Sequence, residues 1–318
     1  MAAKLRVGVV GVGYLGKFHA RIYAAMAAAT ADVELVAVVD ADAATAARIA
    51  QEYGCQAYTQ AQELLGKVDA VSIVVPTIYH LAVARPFLEN GVHVLMEKPL
   101  AATYADARTL VELAERAGVI FQVGHLERYN AGFMALAASV KEPRFIEAHR
   151  LGTFVERATD VDVVTDLMIH DIDIVMSLVH SPIRDIAAIG VPVLTEHADI
   201  ANARIEFENG AVANVTASRV SNKKQRRIRV FGRHSYHALD FGDSQVEVAH
   251  AVPNPDGGRP EITAERLTIE AKPPLDAELA DFIDCVRMKR APLVGGRTAL
   301  EALRVALLVK EKITSCQQ

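Results

Sequence analysis

Two groups of polar residues in this chain stand where proton or hydride chemistry could be done. The first is Glu97-Lys98-Pro99, which follows directly on the short apolar run 93–96. Such a run reads as a strand, and proline cannot extend a central ladder, so Glu97 and Lys98 fall at the strand's carboxyl end. In an open parallel sheet that edge is where ligands bind. A lysine there costs desolvation unless it meets something anionic or reactive.

The second group is Asp166, His170 and Asp173, spaced i, i+4 and i+7 in a stretch whose pattern predicts a helix over 163–179. On a regular helix all three share a face. Leu167, Ile169, Ile172, Val175 and Met176 make the rest of that helix apolar, so it is expected to be buried and its Asp and His to have partners. Asp166, one turn from His170, fits a carboxylate that orients a base, although a satisfied structural histidine fits the same pattern. Asp171, on another face, is expected to serve packing or an interdomain contact. Asp-x-x-x-His could also supply two metal ligands, but no third of comparable placement accompanies them, and hydride transfer needs no metal. No metal is expected.

The elements that must hold these groups follow from the pattern around them. A strand over 5–10 runs into Gly11-Val12-Gly13-Tyr14-Leu15-Gly16 and then a helical stretch to residue 29. That is G-x-G-x-x-G in a strand-to-helix turn, where glycines let backbone amides and the helix's positive end approach a pyrophosphate. A second strand, 35–39, ends on Asp40, about two dozen residues beyond Gly16, which suits a ribose hydroxyl contact. Asp40 repels a ribose 2′-phosphate, and residues 41–44 bring no arginine or serine to receive one, so NAD is favoured over NADP. Helices over 43–53, 80–90 and 104–117 and a short one over 60–65 alternate with strands over 70–75, 93–96 and 119–123. This alternation is that of an α/β, doubly wound (Rossmann) parallel sheet.

After Gly124 the pattern changes to a helix over 130–139, a strand over 144–151, a loop over 152–162, the 163–179 helix, and then strands over 185–191, 200–207, 211–218, 228–232, 238–241, 245–250 and 261–270. Glu208-Asn209-Gly210 joins two of these as a hairpin turn, and 254–259 reads as an exposed loop. Helices over 275–289 and 298–314 close the chain. We read residues 1–122 as an NAD-binding domain and 123–318 as an α+β domain with a large, mostly antiparallel, open-faced sheet for substrate and oligomerisation; the closing helices are expected to pack back on the first domain. The open face needs a cover, and a homodimer or homotetramer formed through it is the economical solution.

The totals agree with a soluble enzyme of two domains: 318 residues, 51% hydrophobic, 23% charged and a net charge of -5. An acidic chain argues against nucleic acid as main partner. Cys55, Cys285 and Cys316 have no metal-type spacing and point to a reducing, cytoplasmic compartment. The apolar start is broken by Gly8, Gly11, Gly13 and Gly16, unlike a signal peptide, and no apolar run is long enough for a membrane span.

Gly11 to Gly16 with His19, Pro76-Thr77 with His80, Glu97-Lys98-Pro99, and the run 166–173 together resemble the Gfo/Idh/MocA family of NAD(P)-dependent oxidoreductases over nearly the whole chain. That resemblance implies Lys98 and His170 as the catalytic pair with Asp166 beside them. At the cofactor it implies Gly11, Gly13, Tyr14, Leu15, Gly16, Asp40, Pro76, Thr77, His80, Glu97 and Lys98. Lys98, His125, Arg128, Tyr129, Asp166 and His170 are the substrate-side residues. The family usually oxidises a ring hydroxyl of a sugar or cyclitol.

Stretches 124–130, 149–173 and 199–221 are similar to the branch that oxidises the 3-hydroxyl of UDP-N-acetylglucosamine for a pyridoxal-phosphate aminotransferase in lipid A biosynthesis. Met168 stands where the wider family usually has glycine, and His125 where it has an aromatic. Lys223, Lys224, Arg226, Arg227 and Arg229 could meet a diphosphate or form a solvated basic loop, and Arg128 and Arg150 are alternative phosphate or carboxamide contacts. A dehydrogenase of a free sugar or inositol, and a non-catalytic NAD sensor, are the other readings of the same features.

Overall fold

The first strand, β1 (Leu5–Val10), and the fourth, β4 (Ala70–Ile73), are buried almost throughout. Inner strands of a parallel sheet read this way because both faces are covered. Between them come α1 (Gly16–Ala29), β2 (Val33–Val39), α2 (Ala43–Tyr53) and β3 (Gln56–Tyr58), and after them α3 (His80–Glu89), β5 (His93–Glu97), α4 (Tyr104–Ala117) and β6 (Phe121–Gly124). The six strands are parallel in the order β3-β2-β1-β4-β5-β6, that of a dinucleotide-binding sheet. Local chemistry sets the helix limits. The Asp42 carboxylate accepts from the amides of Ala44 and Thr45 to start α2, the Thr103 hydroxyl accepts from the Asp106 amide to start α4, and left-handed Gly54 and Gly118 end them. β3, only three residues long, is too short to show in the sequence pattern.

The remaining elements are α5 (Ala131–Ser139), β7 (Phe145–Leu151), a π turn over Val164–Met168, α6 (Ile169–Val179), β8 (Ile183–Val191), β9 (Ile200–Phe207), β10 (Val212–Ser218), β11 (Gln225–Phe231), β12 (Ser235–Asp240), β13 (Gln245–Val252), β14 (Glu261–Leu267), α7 (Pro274–Met288) and α8 (Gly296–Ser315). The eight strands run in the order β14-β13-β12-β11-β7-β10-β9-β8, antiparallel except where β7 meets β10. Strict alternation in β7, with Ile146, Ala148 and Arg150 buried and their neighbours half-buried, shows that one face of this sheet packs inward.

This computed structural model describes residues 4–30, 32–154, 161–243, 245–255, 258–270 and 272–315. Residues 155–160 of the expected 152–162 loop, 256–257 of the 254–259 loop, and Cys316 lie outside that set. Two units result: Met1–Leu126 with Leu275–Glu301, and Glu127–Pro274 with Ala302–Gln318. In the first, Leu279, Phe282, Ile283 and Val286 of α7 share one apolar core with Val7, Val9, Tyr23 and Val38. Among the described residues no helix is long and apolar enough to cross a membrane.

Candidate active site

The glycine turn is built for close backbone approach. Gly11 has φ +85, and a Cβ there would stand 2.5 Å from the Val74 carbonyl oxygen; a Cβ on Gly16 would stand 1.8 Å from the Gly11 oxygen. Both positions therefore exclude any side chain. Gly13 is different, because a Cβ there would meet nothing within 4 Å, and it opens toward solvent with exposed Tyr14 and half-buried Leu15 beside it. α1 starts behind this opening without a side-chain cap. Open space ahead of an uncapped helix start suits a pyrophosphate. Asp40 fixes the turn: one carboxylate oxygen accepts from the Val12 amide at 2.9 Å and the other from the Asp42 amide at 3.0 Å. These residues fit NAD, whose nicotinamide accepts a hydride when bound.

Two further strand ends lie along the same sheet edge. After β4, Pro76 and Thr77 open a short 3-10 turn, and His80 follows, buried, with Nδ1 3.2 Å from the Leu100 carbonyl and Nε2 3.0 Å from that of Val75. Burial lowers the pKa of its imidazole below the ordinary value. His80 thus ties the turns after β4 and β5 together. After β5, the Glu97 carboxylate lies flat over Gly124, where an added Cβ would be 3.1 Å from its Cδ. One Glu97 oxygen accepts from the Lys98 amide at 3.2 Å, and the other is 3.3 Å from His19 Nε2. Lys98 is half-buried and precedes a cis peptide bond to Pro99. His125, just past β6, is buried.

In the second unit the expected regular helix over 163–179 is interrupted. Its first turn is a π turn, held at its start by Asp162, whose carboxylate accepts from the amides of Val164 and Thr165 and meets Lys310 Nζ at 2.8 Å. Hydrogen bonds in such a turn run i→i+5, so Asp166 is displaced from its ideal i, i+4 place relative to His170. Asp166 and His170 are half-buried, whereas Asp171 and Asp173 are buried. Asp173 accepts from Arg128 at 3.4 Å, which gives two of the sequence candidates a shared ion pair. Tyr129, the next residue after Arg128 in the chain, is buried.

Arg150, an alternative phosphate or carboxamide contact on the sequence, is tied to two carboxylates. It is buried, its Nε and Nη2 donate to the two Asp171 oxygens at 2.8 and 3.0 Å, and its Nη1 donates to Glu127 at 2.7 Å. Three of its five N–H groups are used in this way, which fixes the guanidinium against Asp171 and Glu127. Carboxylates also stand beside three arginines of the basic run. Arg229 pairs with Glu147, Arg226 lies 4.0 Å from Glu127, and Arg227 lines a cavity of about 150 Å³ with Asp240, Asp243 and Glu247. Carboxylates around that cavity oppose a diphosphate. Sequence spacing could not find the Arg150–Asp171–Glu127 cluster, because its members come from three separate elements.

Residues 5–125 match the Gfo/Idh/MocA oxidoreductase family, NAD-binding Rossmann fold, and residues 134–236 match that family's C-terminal domain. This chain belongs to the Gfo/Idh/MocA family. Its first unit is an NAD-binding Rossmann domain, and the protein is an oxidoreductase. Within the family it is 36% identical over 315 residues, 99% of both chains, to UDP-N-acetylglucosamine 3-dehydrogenase of Acidithiobacillus ferrooxidans. The solved structure of that enzyme superposes with a TM-score of 0.91, covering 100% of each chain at 35% identity. The family likeness extends to scyllo-inositol 2-dehydrogenase (NAD(+)) of Bacillus subtilis, 28% identical over 241 residues, which are 70% of this chain and 69% of that one. Levoglucosan dehydrogenase in complex with NADH shares the fold at 18% identity, with a TM-score of 0.86 and 98% of each chain covered.

Proposed function

We propose that this protein oxidises the 3-hydroxyl of UDP-N-acetylglucosamine to the 3-keto sugar nucleotide with NAD as hydride acceptor. The observation that carries the reading is the 36% identity to an enzyme of that name along 99% of both chains. Relatives that act on inositol align over shorter stretches, such as the 70% of this chain matched by the scyllo-inositol enzyme. In this reading the first unit, Met1–Leu126 with Leu275–Glu301, holds the cofactor, and the second presents the sugar and forms the oligomer.

Oxidation of an alcohol needs its proton removed as hydride leaves carbon. Lys98, at the carboxyl end of β5, donates a hydrogen bond to the hydroxyl oxygen, and His170, with Asp166 orienting it, takes the proton. The exchanged assignment, Lys98 as base with His170 relaying, uses the same residues. His80 and Asp40 act earlier, by fixing the turns that border the cofactor. His125, Arg128 and Tyr129 flank the sugar, with Arg128 held in place by Asp173.

The test is NADH formation from NAD and UDP-N-acetylglucosamine, with a pyridoxal-phosphate aminotransferase and glutamate present to draw off the ketone. A steady rise that requires the UDP moiety is expected. A rise with inositol or free hexoses alone would replace the substrate with a free polyol. Tight NAD binding without turnover of any polyol would favour an NAD sensor.

A further inference from the structure

α7 carries one residue that packing does not explain. Glu278 is 1% exposed, and neither carboxyl oxygen has a hydrogen-bond partner among the described residues. Its neighbours Leu279, Phe282 and Ile283 fill an apolar core, where an unsatisfied polar group costs about 1–3 kcal/mol. Stability alone does not account for a carboxyl group at this place.

The surroundings of Glu278 are polar on one side only. Gln122, fully buried on β6, donates its Nε2 to the Glu278 backbone carbonyl at 3.1 Å and leaves its own Oε1 without a partner. Glu97, at the end of β5, is close enough to repel a charge on Glu278, as is Asp281 one turn further along α7. Asp281 is engaged by Arg290 at 2.5 Å. On α1, the Tyr23 hydroxyl is bonded to Ser72 Oγ at 2.8 Å, and His19, one turn earlier, faces Glu97 with neither ring nitrogen in a hydrogen bond. Orphaned atoms thus belong to residues linked in a chain: Gln122 holds the Glu278 backbone, Glu278 feels the charge of Glu97, and His19 lies 3.3 Å from a Glu97 oxygen. Buried polar atoms in that state are commonly joined by ordered water, which needs two to four such partners.

We propose that Glu278 is a positioning residue for the strand end that carries Lys98: as a neutral acid it is bridged, through buried water shared with Gln122 and His19, to the Glu97 carboxylate. Two neighbouring carboxyl groups cannot both ionise cheaply, and the proton settles on the more buried one. Burial first, and then the charges of Glu97 and Asp281, push the Glu278 carboxyl well above the ordinary range. Glu97 in turn accepts from the Lys98 amide, so its orientation sets where β5 ends. The inference rests on Lys98 being the catalytic lysine of the proposed function.

The test compares the full-length protein with Glu278→Leu and Glu278→Gln. Infrared spectra in D2O should show a protonated carboxyl band in the wild type that Glu278→Gln lacks. Glu278→Leu should be about as heat-stable as the wild type, since an apolar side chain in the core offsets the lost water bridge, yet kcat should fall by roughly 10²-fold through misplacement of Lys98. Glu278→Gln, which can bond to the same water, should recover most of that loss. A wild type without the band, or a Leu variant with wild-type turnover, would overturn the proposal. The infrared and heat measurements need no sugar, so they judge Glu278 even if UDP-N-acetylglucosamine proves not to be the substrate.

Discussion

Lys98 is the side chain on which turnover depends in the proposed reaction, and its setting allows a clean test. It is half-buried at a strand end, so Lys98→Met keeps the apolar stem and removes only the ammonium. NAD affinity, followed by fluorescence titration, should stay near the wild-type value while kcat drops by about 10²- to 10⁴-fold. Unchanged turnover would make the lysine structural. Asp199 offers a second prediction at this scale, on stability. Burial alone would raise its carboxyl, but the amides of Val193, Leu194 and Thr195 converge on one oxygen at 2.8, 2.6 and 2.9 Å, and Arg219 approaches the other at 3.0 Å. The net effect holds Asp199 well below the usual carboxylate range. Because the folded value is depressed, the stability it contributes is present above the unfolded value near about 4 and is lost as pH falls toward the folded one. Asp199→Ala should therefore cost about 3 kcal/mol or more at neutral pH in urea unfolding, and the gap should narrow steadily below about pH 4. A gap that does not change with pH would contradict this account.

At the scale of elements, α6 depends on a buried charge cluster more than on its own sequence. Arg150→Met would strand the carboxylates of Asp171 and Glu127 and should destabilise the protein by about 3–5 kcal/mol, whereas adding Asp171→Leu should return most of that loss. Urea unfolding of both variants checks it; a double variant no better than the single would mean that the cluster is not an interacting unit. These contacts also mark where reading the sequence stopped. Gly54, Gly118 and the Asn209-Gly210 turn act within a few residues of themselves, so helix ends and the hairpin were legible. Asp40 and the Gly11–Gly16 turn were legible because their spacing is set by one βαβ unit. The Arg150 ion pairs were not legible, because its partners, Asp171 and Glu127, are 21 and 23 positions away. Glu278 gave no signal at all: the side chain that anchors its backbone, Gln122, is 156 positions distant. The π turn before α6 was equally hidden, since Asp162 and its partner Lys310 belong to different ends of the second unit's sequence.

At the scale of the whole molecule, the outer face of the eight-stranded sheet remains to be covered. Phe145, Phe231 and Tyr236 sit in register across β7, β11 and β12, with ring centroids 5.8 and 5.2 Å apart, and none of the three is buried. Arg229 and Glu147, also on this face, pair with each other across the same two strands. An aromatic stripe beside self-neutralised charge suits contact with a second copy of the same face, because a two-fold axis brings like patches together. Phe231→Glu would place a carboxylate in that stripe on each subunit, where burial against its symmetry mate is costly and solvent exposure is not. The variant is thus expected to lose self-association, as read by light scattering after size exclusion, while keeping the wild-type circular dichroism spectrum and NAD affinity. A variant that keeps the wild-type mass in solution would move the interface off this face, and a monomeric wild type would leave the stripe to some other cover.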